Sequence, residues 1–212
     1  MPSRLRIARA IGKHEEEVAV ELVSQVERRE VHDEEGRPPP FSSDGLPHYR
    51  KALVEVYGKV PPYQGRGRPP TVKRPPRELR YGQIVKHRRG GRVVWMEERV
   101  VFGEPEEVLA ALGGKVSTSY VERDNSTARR HNGRLTRKTL GYAKTVAALE
   151  AACAWTDLVY NFCRPHKALR VPSEEAGRKW EERTPAMAVG LTDHIWSVEK
   201  LLTYVPPKII NS

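Results

Sequence analysis

Ser117-Thr-Ser-Tyr-Val-Glu-Arg-Asp-Asn125 runs into a basic stretch, Arg129-Arg-His-Asn-Gly-Arg-Leu-Thr-Arg-Lys138. The pattern predicts a helix that opens near Glu122. On such a helix Glu122, Asn125 and Arg129 share one face, because residues three, four and seven apart stack along it. A carboxylate suits a divalent cation, and a guanidinium one or two turns away suits a phosphate. That pairing points to phosphodiester chemistry on nucleic acid.

Composition agrees with a polyanionic partner. The 212 residues carry a formal charge of +10, and a basic excess of this size attracts nucleic acid. The charge is clustered. Residues 61–100 hold 11 Lys or Arg against 3 Asp or Glu, whereas residues 1–60 hold 10 against 11. A second dense run, Arg123 to Lys138, includes Arg129, Arg130, Arg134 and Arg137. The plain alternative for these groups is a solvated surface that keeps the protein in solution. Two cysteines, Cys153 and Cys163, make no disulfide framework, and a reducing cytoplasm is expected. Cys163-x-x-His166 lacks a second ligand pair and reads as structural. No apolar run is long enough to span a bilayer, and the N-terminus has no signal-peptide core.

Outward from the opening stretch, the elements alternate in type. Leu5 to Ile11 alternates apolar and basic residues and predicts a short strand. Glu15 to Arg29 predicts a helix with Val18, Leu22, Val23 and Val26 inward. Phe41-Ser-Ser-Asp44 predicts a strand that ends on an acid, with Gly45 turning the chain into a helix from Pro47 to Tyr57. A proline-rich basic arm covers 58–80. Gln83 to His87 and Arg92 to Met96 flank Arg-Arg-Gly-Gly and predict a basic hairpin, extended by Val100 to Phe102. A short helix is expected from Glu106 to Leu112 and a long one over about 143–163. The remainder reads as irregular, with helical pieces near 174–182 and 197–203.

These blocks, in this order, resemble a known family. Phe41-Ser-Ser-Asp-Gly-Leu-Pro-His-Tyr49, Tyr81-Gly-Gln-Ile-Val-Lys86, Ser117 to Asn125, Asn132 to Leu140, Tyr160-Asn-Phe-Cys-Arg-Pro-His166 and Arg183 to Ala188 resemble the catalytic half of insertion-sequence transposases of the DDE type. The resemblance implies an α/β, ribonuclease-H-like mixed sheet with flanking helices and the first strand missing. A basic hairpin and an irregular C-terminal tail complete it. Residues 1–164 would form an incomplete catalytic domain and 165–212 a C-terminal extension. It implies Mg²⁺ as cofactor, DNA (element ends and target) as partner, and assembly of several copies on DNA. Two metal ions roughly 3.5–4 Å apart stabilise the attacking and leaving oxygens of an in-line displacement, so three converging acids are needed. Asp44 matches the second acid and Glu122 the third. Arg123, Asn125, Arg129, Arg130, Arg134, Arg137 and Lys138 are the expected DNA contacts.

The first acid has no match. No Asp precedes Asp33, which falls in a polar loop, and Glu15, Glu16 and Glu17 suit the favourable first turn of a helix. The expectation is therefore an N-terminally truncated, catalytically incomplete copy. Its rival is a non-enzymatic nucleic-acid-binding protein on the same fold. Residue by residue, bland readings stand beside the sharp ones. Asp44 in Ser-Asp-Gly is otherwise a turn acid, and Glu122 an ordinary helix-start carboxylate. His166 reads as a hydrogen-bonded structural residue. Trp155, Tyr160 and Phe162 read as core or interface.

Overall fold

The computed structural model describes residues 3–13, 15–65, 67–136, 140–174 and 177–206. The chain forms two compact units: Ile7–Arg123, and Met1–Arg6 together with Asp124–Ser212. Each has its own logic.

The Ile7–Arg123 unit is a mixed α/β structure around a three-stranded sheet. Helix α1 (Glu16–Glu27) precedes strand β1 (Phe41–Asp44), helix α2 (Pro47–Tyr57), strands β2 (Tyr81–Arg89) and β3 (Arg92–Phe102), and helix α3 (Pro105–Ala111). Strand order is β1-β2-β3. β1 and β2 run parallel, so α2 and the proline-rich arm form the crossover between them, while β2 and β3 form an antiparallel hairpin. Pro47 opens α2, where a missing N–H costs nothing. The hairpin turns at Gly90 and Gly91, whose φ values of 57° and 78° are those of a type I′ turn.

The strand register decides which element covers each face of the sheet. α1 and α2 supply Ala19, Val23, Ala52 and Leu53 to a core shared with Leu79, Tyr81 and Phe102. Leu53 and Leu79 are fully enclosed, each worth about 1.5–3 kcal/mol of burial. The opposite sheet face carries Gly82, Ile84 and Lys86. There Val116 presses so close that a Cβ on Gly82 would lie 2.7 Å from its Cγ2. The arm at 58–80 forms no helix or strand among its described residues. It is pinned by a bridge between Lys59 and Arg74 and by Lys73, whose Nζ lies 2.7 Å from Glu55 Oε1.

The second unit holds the end of helix α4 (Ser119–His131), helix α5 (Val146–Leu158) and a π-helical turn (Val159–Cys163). A two-residue ladder pairs β4 (Val171–Pro172) with β5 (Trp180–Glu181), and short helices α6 (Pro185–Ala188) and α7 (Val198–Thr203) come after it. The residues after 164 fold back onto α5 and its π turn. Trp196 N donates to Phe162 O at 3.0 Å, and their rings lie 5.0 Å apart.

Three sequence expectations need correction. Among the described residues, Leu5–Ile11 pairs with no strand. Side chains take the backbone groups a ladder would use: Gln25 Oε1 accepts from Arg9 N at 3.2 Å, and Arg29 Nη1 donates to Ile7 O. The described residues of 174–182 hold strand β5 rather than a helix, with the Arg170 guanidinium 4.4 Å over the Trp180 ring. The long helix is shorter at both ends. Thr145 caps it by accepting from Ala148 N at 3.1 Å, and it changes to a π turn at Val159.

Candidate functional site

Asp44 ends β1, and Glu122 lies in the first turn of α4, both in the Ile7–Arg123 unit. Parallel pairing sets Asp44 beside Ile84, so its side chain falls on the face that carries Ile84 and, one alternation on, Lys86. Ser42 lies on that face too: its Oγ donates to Ser117 O at 3.3 Å, just ahead of α4. The Lys86 ammonium pairs with Glu122 Oε1, and Thr118 Oγ1 donates to the same oxygen at 3.0 Å. The register thus gathers the two predicted acids onto one sheet face, one from a strand end and one from a helix start. Glu98 stands on the same row, opposite Ile84 on β3. Its Oε2 accepts from Val116 N at 3.0 Å, so it holds the loop that leads into α4.

Asp44 is exposed, and its Oδ1 accepts from Leu46 N at 3.3 Å. This is the local bond of a turn acid. Glu122 is exposed too. The hydrogen bond from Lys86, then that from Thr118, holds its carboxyl below the usual carboxylate value. Lys86→Met is therefore expected to return the Glu122 pKa toward the ordinary range, read by side-chain carboxyl NMR across a pH titration. The sign is that of a depressed acid: the stabilisation is present above the unfolded-state pKa and lost as pH falls through the folded one. Both partners are solvated, so the effect on global stability is small.

Oxygen donors of this kind suit a hard divalent cation, and Asp44 and Glu122 are exposed carboxylates of that kind. Among the described residues, no group of three or more His, Cys, Asp or Glu gathers into a metal-binding cluster. Asp33 is already engaged. It accepts from Arg37 N at 2.8 Å and Glu35 N at 3.2 Å, and pairs with Arg37 and Arg80. The backbone bond from Arg37 above all lowers its pKa to about 2.

The remaining predicted contacts are divided between the units. Arg123 is exposed at the end of the first unit, and Asn125, Arg129, Arg130 and Arg134 are exposed in the second. Among the described residues, no ion pair engages the side chains of Arg129, Arg130 or Arg134. Arg137 and Lys138 lie outside the described residues.

A buried cation that sequence reading missed organises the second unit. Arg6 is 9 % exposed at its side chain. Its Nε donates to both Asp124 oxygens at 3.0 Å, its Nη2 to Asp124 Oδ1 at 2.7 Å, and its Nη1 to Asp157 Oδ1 at 3.1 Å. The guanidinium lies 3.8 Å from the Tyr160 ring centroid. Asn161 clamps the Arg6 backbone in both directions, accepting from Arg6 N at 3.0 Å and donating to Arg6 O at 2.9 Å.

Tyr160 and Asn161 of the Tyr160–His166 block therefore form a socket for Arg6. Tyr160 and Asn161 are buried, whereas Trp155 stays 39 % exposed. His166 is not hydrogen-bonded through its buried Nε2, and its ring meets Tyr160 edge-on at 4.6 Å. Burial, then Arg4, Arg164 and Arg6, lowers its pKa. Cys153 is buried beside Asn132 Nδ2, and burial pushes the Cys163 thiol up. Among the described residues no helix is long and apolar enough to cross a membrane. No protein-family model, curated protein or solved structure matches the chain.

Proposed function

We propose that this chain is a DNA-binding polypeptide of the DDE transposase type, on a ribonuclease-H-like sheet, with two of the three acids of that chemistry. The observation that carries the reading is the placement of Asp44 and Glu122 on one sheet face. In open α/β sheets, ligands bind beyond the carboxyl ends of the strands, and Asp44 occupies that position on β1. Its parallel neighbour β2 brings Lys86 to Glu122. A divalent ion held by Asp44 and Glu122 would supply charge stabilisation to a reacting phosphodiester. The chain's own part is to bind DNA by charge and to hold the two carboxylates.

The pairing of Lys86 with Glu122 favours binding without metal as the activity of this polypeptide. An ammonium already satisfies part of the charge that a cation would otherwise meet. Losing one of three metal-binding acids costs several kcal/mol of transition-state stabilisation, or several orders of magnitude in rate. The expected outcome is that the purified chain retards DNA equally in Mg²⁺ and in chelator, and that Asp44→Ala leaves this unchanged. No strand-transfer product forms. Product that needs Mg²⁺ and disappears in Glu122→Gln would show a complete catalytic site instead, and failure to bind DNA at low salt would end the reading altogether.

A further inference from the structure

In the unit that contains Asp124–Ser212, α4, α5 and the π turn enclose a half-open cavity of about 180 Å³. Its wall is chemically mixed. Trp155 and Val159 give apolar surface, Thr127 a hydroxyl, and His131 and Arg164 cationic or donor groups. None of the described lining residues is a carboxylate. Arg6 also touches the cavity, but Asp124 and Asp157 take up its charge. Arg164 is exposed and has no ion-pair partner among the described residues, so it is the uncompensated cation of the site.

Burial and the neighbouring charges act on His131 as well. Burial, then the charges of Arg164, Arg130 and Arg6, makes His131 harder to protonate. The exposed Arg164, in a lining that holds no carboxylate, is the group that suits an anion. The aromatic wall asks for something further. Trp155 offers a flat, partly exposed indole, and stacking a base on an aromatic side chain is worth as much as a good hydrogen bond. The volume lies below the ~300–1,000 Å³ of a pocket for a drug-sized ligand. It therefore encloses one ring, with the phosphate at the open side, where His131 and Arg164 are exposed.

We propose that this cavity binds a single nucleotide unit, with its base against Trp155 and its phosphate held by Arg164 and His131. The site takes a phosphate and a planar base together, so neither inorganic phosphate nor a nucleoside alone satisfies it. The source is either a free nucleotide or the terminal nucleotide of a strand. Only the second source rests on the DNA-binding reading above.

The test is an NMR titration of the full chain with 5′-dAMP at fixed salt, followed at the Trp155 indole N–H and the Arg164 amide. Saturable shifts at both are expected. Arg164→Gln is expected to weaken binding roughly tenfold or more, the worth of one charge-assisted phosphate contact. Trp155→Leu is expected to weaken dAMP while leaving inorganic phosphate unchanged, and circular dichroism checks that both variants fold. Deoxyadenosine and inorganic phosphate should each bind more weakly than dAMP.

No shift at Trp155, or an Arg164→Gln variant that binds dAMP as well as the parent, overturns the proposal. A 5′-phosphorylated oligonucleotide that displaces dAMP identifies a strand end as the source. An oligonucleotide that binds without disturbing Trp155 overturns the cavity and leaves DNA binding standing. Binding of dAMP without binding of any DNA upholds the cavity and removes the DNA reading.

Discussion

Arg6→Ala is expected to destabilise the unit built on α5 by about 2–4 kcal/mol. Four charge-assisted contacts to Asp124 and Asp157 disappear, together with the stacking on Tyr160. The resulting site is worse than an empty space, because Asp124 and Asp157 both lose the guanidinium they face. Removing one partner from a fully buried pair costs about 3–5 kcal/mol. Here Asp124 and Asp157 are 33 % and 23 % exposed, so water recovers part of that penalty.

Domains of this size are stable by only about 5–15 kcal/mol, so a loss of this order is a large share of the total. Hydrogen exchange is the suitable measurement, because two compact units need not unfold together. Protection of amides in Val146–Cys163 should fall, while that of the sheet strands β2 and β3 stays near its parent value. Arg6→Lys should recover only part of the loss, since an ammonium keeps the charge but not the planar fork that reaches both oxygens of Asp124. Unchanged protection in Val146–Cys163 would show that the buried guanidinium is not what holds this unit.

The same residue shows where sequence reading stops. Arg6 sits in Leu5-Arg-Ile-Ala-Arg-Ala-Ile11, whose alternation resembles a half-buried strand. Alternation reports that every second side chain is treated differently, not which group supplies the hydrogen bonds. Here Asn161, 155 residues on, and Gln25, in the next helix, supply them. Elements governed by local chemistry were legible. Pro47 at the head of α2 and the Gly90-Gly91 turn are set by backbone geometry alone. Asp44 was legible as a strand-end acid because Gly45 comes directly after it.

Its companion Lys86 was not legible. The link from Lys86 to Glu122 depends on the antiparallel register of β2 and β3, which sets Glu98 against Val116 N, and on the path of the chain through Val116. A single sequence carries no direct trace of either. The early end of α5 belongs to the same class. A helix continued in regular α geometry past Val159 is what periodicity predicts, but Tyr160 and Asn161 both turn to Arg6, and the ladder widens to a π turn there. Such widened turns are frequent at functional positions.

DNA affinity is expected to fall roughly 10³-fold between 50 and 200 mM monovalent salt, the largest effect anticipated for this protein. Each phosphate neutralised by a Lys or Arg releases condensed counterions, and log K falls with log salt by about 0.9 per contact. Arg88, Arg89 and Arg92 stand exposed at the hairpin end, and Arg129, Arg130 and Arg134 are exposed around the end of α4. If all six meet phosphates, the slope is about −5. Chelator should not alter it, because the guanidinium contacts need no metal.

Substitution separates the two groups. Replacing Arg129, Arg130 and Arg134 together by Gln should reduce the slope by about 3 and weaken binding similarly on unrelated sequences, as phosphate contacts do. Neutralising the three hairpin arginines should do the same if the ribbon carries an equal share. A slope near zero, or one that only Mg²⁺ restores, would mean that the basic excess is a solvated surface. A slope unchanged by the α4 triple substitution, but reduced by the hairpin one, would place the DNA on the sheet unit alone. Such a result would confine DNA recognition to the unit that carries Asp44 and Glu122, and Arg129, Arg130 and Arg134 would then be read as solvated surface charge.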